Sequence, residues 1–169
     1  MRLLFVCTGN ICRSPTAEAV MRAKLKAAGL DGRVEVDSCG TTGWHVGEPP
    51  SGPALEVAGV RGYDLSDQRA RQIAADDFER FDRIFAMDRG HHGHLLALCP
   101  DGRFNRLRLF REASARQGES LDVPDPYGLG IAAYETAFEM IERGCEAILE
   151  EVRAELDGEP APGAGDTHP

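Results

Sequence analysis

The sequence has too little positive charge for a protein that holds nucleic acid. Lysine and arginine together number 19 against 28 aspartates and glutamates, so the formal net charge is −9 at pH 7. Binding to nucleic acid depends on neutralising its phosphates with a basic surface. We therefore expect no nucleic-acid partner, while a locally focused positive site remains compatible with a phosphorylated substrate.

Long apolar runs are also missing. No run approaches the ~20 residues of a membrane span, so we expect no membrane partner and no export signal. An odd number of scattered cysteines does not form a disulfide framework; the five are Cys7, Cys12, Cys39, Cys99 and Cys145. We therefore expect free thiols in a reducing cytoplasm. The sequence carries no signal for an oligomeric state.

A metal site is not expected either. His91, His92 and His94 cluster ahead of Cys99, but the cluster lacks paired cysteines or acidic partners at ligand spacing. It stands at the start of a predicted helix, and we interpret it as a solvated face.

The most informative stretch that the sequence does contain lies near its beginning. Leu3 to Val6 is a continuous apolar run, typical of a strand buried on both faces, and Cys7 follows it directly. Ligands of open α/β sheets bind at the carboxyl ends of the strands. Gly9 and Asn10 tolerate left-handed backbone, which lets successive N–H groups turn toward one point.

A helix is predicted to begin just after this turn. Ser14 is a good N-cap and Pro15 suits the first helical position, so the helix adds free N–H groups and partial positive charge. Beside the Arg13 guanidinium, Cys7 should be a thiolate near neutral pH, whereas a free thiol titrates near ~8.5. Arg13 also matches two phosphoryl oxygens at once. The stretch therefore predicts a nucleophile inside an anion-binding loop.

The rest of the chain alternates between strand and helix patterns. After the first strand, further strands are predicted over 33–39, 82–87 and 103–110, and helices over 14–28, 53–60, 88–98 and 131–156, with weaker helix candidates over 68–73 and 75–81. In the first helix, Glu18 and Arg22 fall away from the apolar face. This order predicts an α/β protein with right-handed crossovers. We expect one domain over 1–157 and a disordered tail over 158–169.

A stiff loop precedes the last helix. Pro124 and Pro126 flank Asp125, and two prolines around one aspartate hold its carboxylate in a defined place. Asp122 lies three residues earlier and is the rival candidate for an acidic role at this loop.

Taken together, these residues resemble the low-molecular-weight protein tyrosine phosphatases. Cys7 and Arg13 are separated by five residues, Ser14 follows, and Asp125-Pro126-Tyr127 stands far downstream. The resemblance runs from residue 1 to about 156, and segments 40–44, 70–73 and 87–88 recur in the family's order. It implies a flavodoxin-like, doubly wound α/β domain with a four-stranded parallel sheet and helices on both faces.

The resemblance also implies hydrolysis of phosphotyrosine in phosphoproteins, without a cofactor or metal. Cys7 would attack phosphorus and become a phosphocysteine. Asp125 would protonate the departing phenolate and then activate water as a base. The phosphate-binding residues implied are those of the loop: Thr8, Gly9, Asn10, Ile11, Cys12, Arg13 and Ser14.

Loop bracing is a further implication of the resemblance. Asn10, Ser14 and Ser38 match family residues that brace the loop through hydrogen bonds. Gln68 stands where the family usually has a histidine in that network. We therefore expect the brace to be altered in this chain.

Three more residues take roles from the resemblance. Trp44 and Tyr127 match the aromatic walls of the substrate cleft, although a place in the core is an equal alternative for Trp44. Gly128 replaces a second aromatic residue, which suggests a more open rim. Cys12 is either a small core residue or a redox partner that forms a reversible disulfide with Cys7.

Three rival functions share an anion-binding loop of this kind. A thioredoxin-coupled arsenate reductase needs two further cysteines close together, and only Cys99 lies in that region. A protein-arginine phosphatase has a threonine before the second loop cysteine, where this chain has Ile11. A binding module without turnover would need neither Cys7 as a thiolate nor Asp125 as an acid.

Overall fold

A parallel sheet lies at the centre of the computed structural model, which describes residues 1–158. All strand pairs are parallel, and the four strands follow the order β2-β1-β3-β4. The strands are β1 (Arg2–Cys7), β2 (Glu35–Gly40), β3 (Arg83–Ala86) and β4 (Leu107–Leu109). The predicted doubly wound fold is therefore confirmed, although β4 is shorter than its sequence pattern suggests.

Five α-helices connect and flank the strands within residues 1–158. They are α1 (Arg13–Ala27), α2 (Gly52–Val60), α3 (Asp77–Arg80), α4 (Arg89–Leu98) and α5 (Ile131–Gly158). A short 3-10 helix, Phe104–Arg106, leads into β4. The chain winds outward in one direction from β1 to β2 and in the other from β3 to β4. The direction changes at the carboxyl end of β1, which is where ligands bind in such sheets.

Alternate side chains of β1 serve two separate cores. Leu3 and Phe5 are fully buried in a cluster that includes residues of α1 and α5, such as Val20. Leu4 and Val6 are buried in a second cluster on the opposite face, with residues of α3 and α4. A strand buried on both faces requires an unbroken apolar run, and this explains the sequence of β1.

One of the two helix predictions on the path from β2 to β3 is wrong, and the other is too long. Residues 68–73 are not helical, and Gln72 instead forms a parallel bridge with Gly40 at the edge of the sheet. The second candidate shortens to the single turn of α3. Tertiary ion pairs explain the extended chain, because Arg71 donates to Asp37 Oδ2 and to Asp77 Oδ2, both at 2.9 Å.

The long final helix is confirmed by the structure. Its apolar residues at 3/4 spacing face the first core cluster, and its last residue is Gly158. Residues 159–169, where the sequence predicts a tail, lie outside the described part of the chain. Within residues 1–158, the structure contains no helix long and apolar enough to span a membrane.

Candidate active site

The loop between β1 and α1 turns sharply around one point. Asn10 has a φ of 57°, the left-handed backbone conformation that the sequence suggests for this turn. Two close approaches require glycine: a Cβ at Gly9 would lie 2.7 Å from Cδ2 of His45, and one at Gly40 would lie 2.6 Å from the Thr8 carbonyl oxygen. The turn is therefore fixed by contacts from β2 and from the segment that follows it.

Cys7 stands at the carboxyl end of β1 and is 3% exposed. Its Sγ lies 3.0 Å from Oγ of Ser14 in the first turn of α1. Asn10 Nδ2 donates to Ser14 Oγ at 2.8 Å. Because Ser14 Oγ accepts from Asn10, its single hydroxyl hydrogen has two possible acceptors, the Cys7 sulfur and the Cys39 carbonyl oxygen, which lies 3.3 Å away.

A chain of hydrogen bonds continues from Asn10 away from the sulfur. Asn10 Nδ2 also donates to Ser38 Oγ at 2.9 Å, and Ser38 Oγ donates to Glu18 Oε2 at 2.5 Å. On its other side, Asn10 Oδ1 accepts from the backbone N–H of Arg71 at 3.0 Å. The structure thus brings together the three bracing residues expected from the sequence.

Glu18 is the part of this brace that the sequence did not reveal. It is 4% exposed, although its position suggested the polar side of α1. Burial raises the pKa of Glu18 to about 7, against the opposing effects of the Ser38 hydrogen bond and of Arg22. A hydroxyl on a buried strand such as that of Ser38 needs a hydrogen-bond partner, and Glu18 on the neighbouring helix offers one. This match is the signal from which the Ser38–Glu18 pair could have been predicted.

Within residues 1–158, the Gln68 side chain forms no hydrogen bond with the residues of the brace. Its Nε2 donates to the Pro15 carbonyl oxygen at 2.9 Å. Its Oε1 is buried and has no hydrogen-bond partner within the same residues. Gln68 therefore contacts α1, and Glu18 occupies the far end of the brace.

Arg13 lies under the loop with 3% of its side chain exposed. Both hydrogens of Nη1 are engaged, by Asp88 Oδ2 at 2.9 Å and by the Val123 carbonyl oxygen at 2.8 Å. These contacts leave the Nε edge of the guanidinium without a hydrogen bond to residues 1–158. That edge carries two parallel N–H groups, the geometry that binds two oxygens of one phosphate.

Asp125 lies next to Arg13 across the cleft. Its Oδ2 is 3.8 Å from Arg13 Nη2, and 55% of its side chain is exposed. Asp122, the rival acid, is engaged elsewhere: it accepts from the backbone N–H and the guanidinium of Arg89 at 2.9 and 3.2 Å. The hydrogen bond from Arg89 lowers the pKa of Asp122, so this carboxyl is a poor proton donor.

A cleft of about 130 Å³ opens above the loop. Trp44 is 76% exposed and Tyr127 is 59% exposed, so Trp44 lies at the rim of the cleft and not in the core. The residues lining the cleft come from the loop, the segment after β2 and the segment before α5: Cys7, Thr8, Gly9, Ile11, Cys12, Arg13, Trp44, His45, Asp125 and Tyr127.

His45 is a lining residue that the sequence did not indicate. Its Nδ1 lies 2.6 Å from Glu48 Oε2, and its ring packs on Gly9. The rings of His45 and Tyr127 are 6.2 Å apart. The imidazole therefore connects the loop to the aromatic rim.

Cys12 is buried beside the first turn of α5. Its Sγ lies 3.4 Å from Ser51 Oγ and 3.3 Å from Tyr134 Oη. Burial raises the pKa of the Cys12 thiol, against the opposing effects of the hydrogen bonds with Ser51 and Tyr134. The two candidate thiols of the loop therefore have different surroundings.

The histidine cluster does not form a solvated face as predicted. His94 is exposed and His92 is half-buried, but His91 is 5% exposed and turns inward. Its Nε2 lies 2.8 Å from Thr8 Oγ1. Asp88 caps α4 as expected, accepting from the backbone N–H of His91 at 2.9 Å. Within residues 1–158, no group of three histidine, cysteine or acidic side chains is placed to hold a metal ion.

A thiol in an anion-binding loop at the end of the first strand of a parallel α/β domain is the arrangement of a cysteine-dependent phosphatase. The family model described as low molecular weight phosphotyrosine protein phosphatase matches residues 2–158. The chain belongs to this family, and it is a protein tyrosine phosphatase.

Two individual relatives agree with this assignment, and a solved structure of an arginine phosphatase shares the fold. The low molecular weight protein-tyrosine-phosphatase of Streptomyces coelicolor is 45% identical over 162 residues, which cover 95% of this chain and 98% of that one. A crystal structure of a protein tyrosine phosphatase from Entamoeba histolytica has a TM-score of 0.87 at 33% identity, covering 92% of this chain and 99% of that one. The arginine phosphatase YwlE, solved with a phosphorylated active-site serine, has a TM-score of 0.83 at 25% identity, covering 94% and 100%.

Proposed function

We propose that the chain hydrolyses phosphotyrosine in two steps through a phosphocysteine at Cys7. The observation that carries the proposal is the position of Cys7 Sγ, 3.0 Å from the Ser14 hydroxyl at the start of a helix whose Arg13 has both Nη1 hydrogens engaged. As a thiolate the sulfur only accepts hydrogen bonds, so Ser14 donates to it. The sulfur is thereby held with its remaining lone pairs toward the cleft.

In the first step, the thiolate of Cys7 attacks phosphorus and the bond to the phenolic oxygen breaks. The N–H groups of the loop and the Nε edge of Arg13 hold the three equatorial oxygens as negative charge shifts among them. Asp125 gives its proton to the departing phenolate. Its exposed carboxyl lines the same cleft as the buried sulfur.

In the second step, water replaces the leaving group. Asp125, now a carboxylate, takes a proton from this water while the water oxygen attacks phosphorus. The bond to sulfur breaks, inorganic phosphate forms, and the Cys7 thiolate is restored. No cofactor or metal enters either step, because side chains and backbone groups of the chain take every role.

The cleft supports phosphotyrosine in a phosphoprotein as the substrate. Trp44 and Tyr127 stand on its rim as two exposed aromatic surfaces, between which a phenyl ring can stack. We expect a phosphoserine to reach the loop less well, because its phosphate lies closer to the peptide backbone. Ile11 lines the floor of the cleft, where a threonine hydroxyl would assist attack on a phosphorus–nitrogen bond.

A second role concerns Cys12. After peroxide converts the Cys7 thiolate to a sulfenic acid, the Cys12 thiol attacks that sulfur, a disulfide forms and water leaves. Such a disulfide would protect the nucleophile from irreversible oxidation. All five cysteines are free thiols in the structure, and this state is consistent with the cytoplasm as the site of action.

The proposed substrate class is tested with three matched peptides that carry phosphotyrosine, phosphoserine or phosphoarginine at the same position. Release of phosphate is measured for the purified chain and for Cys7→Ser. Phosphotyrosine should be hydrolysed fastest, and the variant should release no phosphate from any peptide. A higher kcat/KM for phosphoarginine would replace this proposal with the arginine phosphatase.

A further inference from the structure

His91 makes three polar contacts at the inner end of the candidate site. Its Nε2 lies 2.8 Å from Thr8 Oγ1 and 3.4 Å from Arg13 Nη2. Its Nδ1 lies 3.1 Å from Asp88 Oδ1. The side chain is 6% exposed and belongs to the first turn of α4, so it joins this helix to the loop.

The chemistry of these neighbours determines which nitrogen carries the proton. A guanidinium only donates hydrogen bonds, so His91 Nε2 must accept from Arg13. Nε2 has one lone pair, which the Thr8 hydroxyl, the nearer donor at 2.8 Å, shares with Arg13 Nη2 at 3.4 Å. The proton therefore sits on Nδ1, which makes no hydrogen bond of good geometry within residues 1–158 but faces the Asp88 carboxylate.

The same carboxylate holds Arg13 from the other side. Asp88 Oδ2 accepts from Arg13 Nη1, while Asp88 Oδ1 accepts from the backbone of His91. With the Val123 carbonyl oxygen also bound to Nη1, three of the five N–H groups of Arg13 have protein partners. The two that remain, on Nε and on Nη2, are available to a phosphate, and the Asp125 carboxylate lies 3.8 Å from Nη2.

We propose that His91 is a positioning residue for phosphate binding: its imidazole fixes the outer end of the Arg13 guanidinium and holds the Thr8 hydroxyl out of the anion-binding loop. The inference deepens the proposed function, since it concerns the same loop. Without an acceptor at this place, Arg13 would keep its Nη1 contacts but lose the one that orients Nη2.

The charge state of the imidazole agrees with an acceptor role. Burial and the positive charge of Arg13 lower the pKa of His91 to about 4, although the Asp88, Asp125 and Asp122 carboxylates act in the opposite direction. The ring is therefore neutral across the neutral pH range. A protonated ring would have no lone pair for Arg13 or Thr8.

The test compares variants that differ in whether an acceptor is present at Nε2. His91→Leu removes it at similar volume, and His91→Gln extends an amide oxygen to nearly the same place. His94→Leu is the matched control, because His94 is exposed on the same helix. The probe is inorganic phosphate, and its Kd is measured by calorimetry at neutral pH alongside kcat and KM for p-nitrophenyl phosphate.

The Kd of phosphate should rise about tenfold in His91→Leu, as expected for a lost hydrogen bond to a charged donor. It should stay within about threefold in His91→Gln and be unchanged in His94→Leu. A merely structural role would lower kcat through a smaller active fraction and leave the Kd of phosphate as it is. That pattern, or a tenfold loss that His91→Gln does not restore, would overturn the proposal.

A replacement variant and a readout that is independent of turnover complete the test. If His91→Leu does not fold, His91→Asn replaces it, because its shorter amide reaches Asp88 but not Arg13, and the same rise in Kd is expected. The binding measurement does not depend on turnover. A wild-type chain that binds phosphate but hydrolyses no phosphotyrosine would contradict the proposed function and still report on His91.

Discussion

Ser38 donates its hydroxyl hydrogen to the buried carboxylate of Glu18 at 2.5 Å. Through Asn10 and Ser14, this pair lies at the far end of the hydrogen-bond chain that leads to the Cys7 sulfur. Glu18 is also 2.6 Å from Arg22 at the surface. The loop is therefore braced by a group whose charge changes near neutral pH.

Glu18 should make the protein less stable as the pH rises. Its pKa is about 7 in the folded chain against 4.5 for an ordinary glutamate, so the folded state binds more protons than the unfolded state between these values. The stabilisation is complete below pH 4.5 and is lost as the pH rises through 7. The loss is on the order of 3 kcal/mol for a shift of this size.

The measurement compares wild type with Glu18→Gln, which keeps the hydrogen bond and cannot ionise. The free energy of unfolding in urea is determined for both at pH 5 and pH 8. Wild type should lose stability relative to the variant between the two. The opposite contribution of His91, which gains stability as the pH rises above about 4, is common to both proteins and cancels. A constant difference would show that Glu18 ionises normally.

Asp125→Ala should slow hydrolysis most for poor leaving groups. A phenolate of high pKa needs a proton as it departs, so loss of the acid should cost about 10²- to 10⁴-fold with phosphotyrosine. p-Nitrophenolate departs more easily, and its kcat should fall much less. Steady-state kinetics with both substrates gives the two ratios.

The neighbouring carboxylate is the control for this comparison. Asp122→Asn removes a charge from the same loop, but Asp122 is bound to Arg89 and not to the cleft. Its kcat should stay within a few-fold of wild type for both substrates. Equal losses for the two leaving groups in Asp125→Ala would remove Asp125 as the proton donor.

Oxidation should link Cys7 to Cys12. After treatment with peroxide, non-reducing mass analysis of peptides should show this disulfide, and a reductant should restore activity. In Cys12→Ser the nucleophile should pass to sulfinic and sulfonic acids, and activity should not return. Cys99→Ala is the control, since Cys99 lies beyond α4. A sulfonic acid at Cys7 beside a free Cys12 thiol in wild type would count against the role.

The sequence predicted those features whose causes are local. The apolar run before Cys7 and the left-handed turn at Asn10 follow from neighbouring residues. The helix after this turn was also predicted, but its start was wrong: α1 begins at Arg13 with Cys12 as its N-cap, so Ser14 and Pro15 lie inside the first turn. The 3/4 spacing of α5 is equally local. Only a few strand orders are compatible with this succession of strands and helices, so the fold could be predicted from it.

Features that depend on distant partners were missed. His91 was interpreted as part of a solvated face because nothing beside it in the sequence reveals Thr8, which lies 83 residues away. Residues 68–73 were interpreted as helical because their pattern gives no sign of the ion pairs that Arg71 makes with Asp37 and Asp77. Buried polar groups choose partners in three dimensions, and the periodicity of one element does not report them.

The central claim is that phosphate passes through the sulfur of Cys7. Rapid acid quenching of the enzyme with phosphotyrosine, followed by mass spectrometry, tests it most directly. One phosphoryl group should appear on Cys7 within the first turnover and disappear when the substrate is exhausted. Cys7→Ser should still bind phosphate but should yield no such species at a comparable rate. Turnover with no phosphorylated Cys7, or near-normal turnover in Cys7→Ser, would contradict the mechanism.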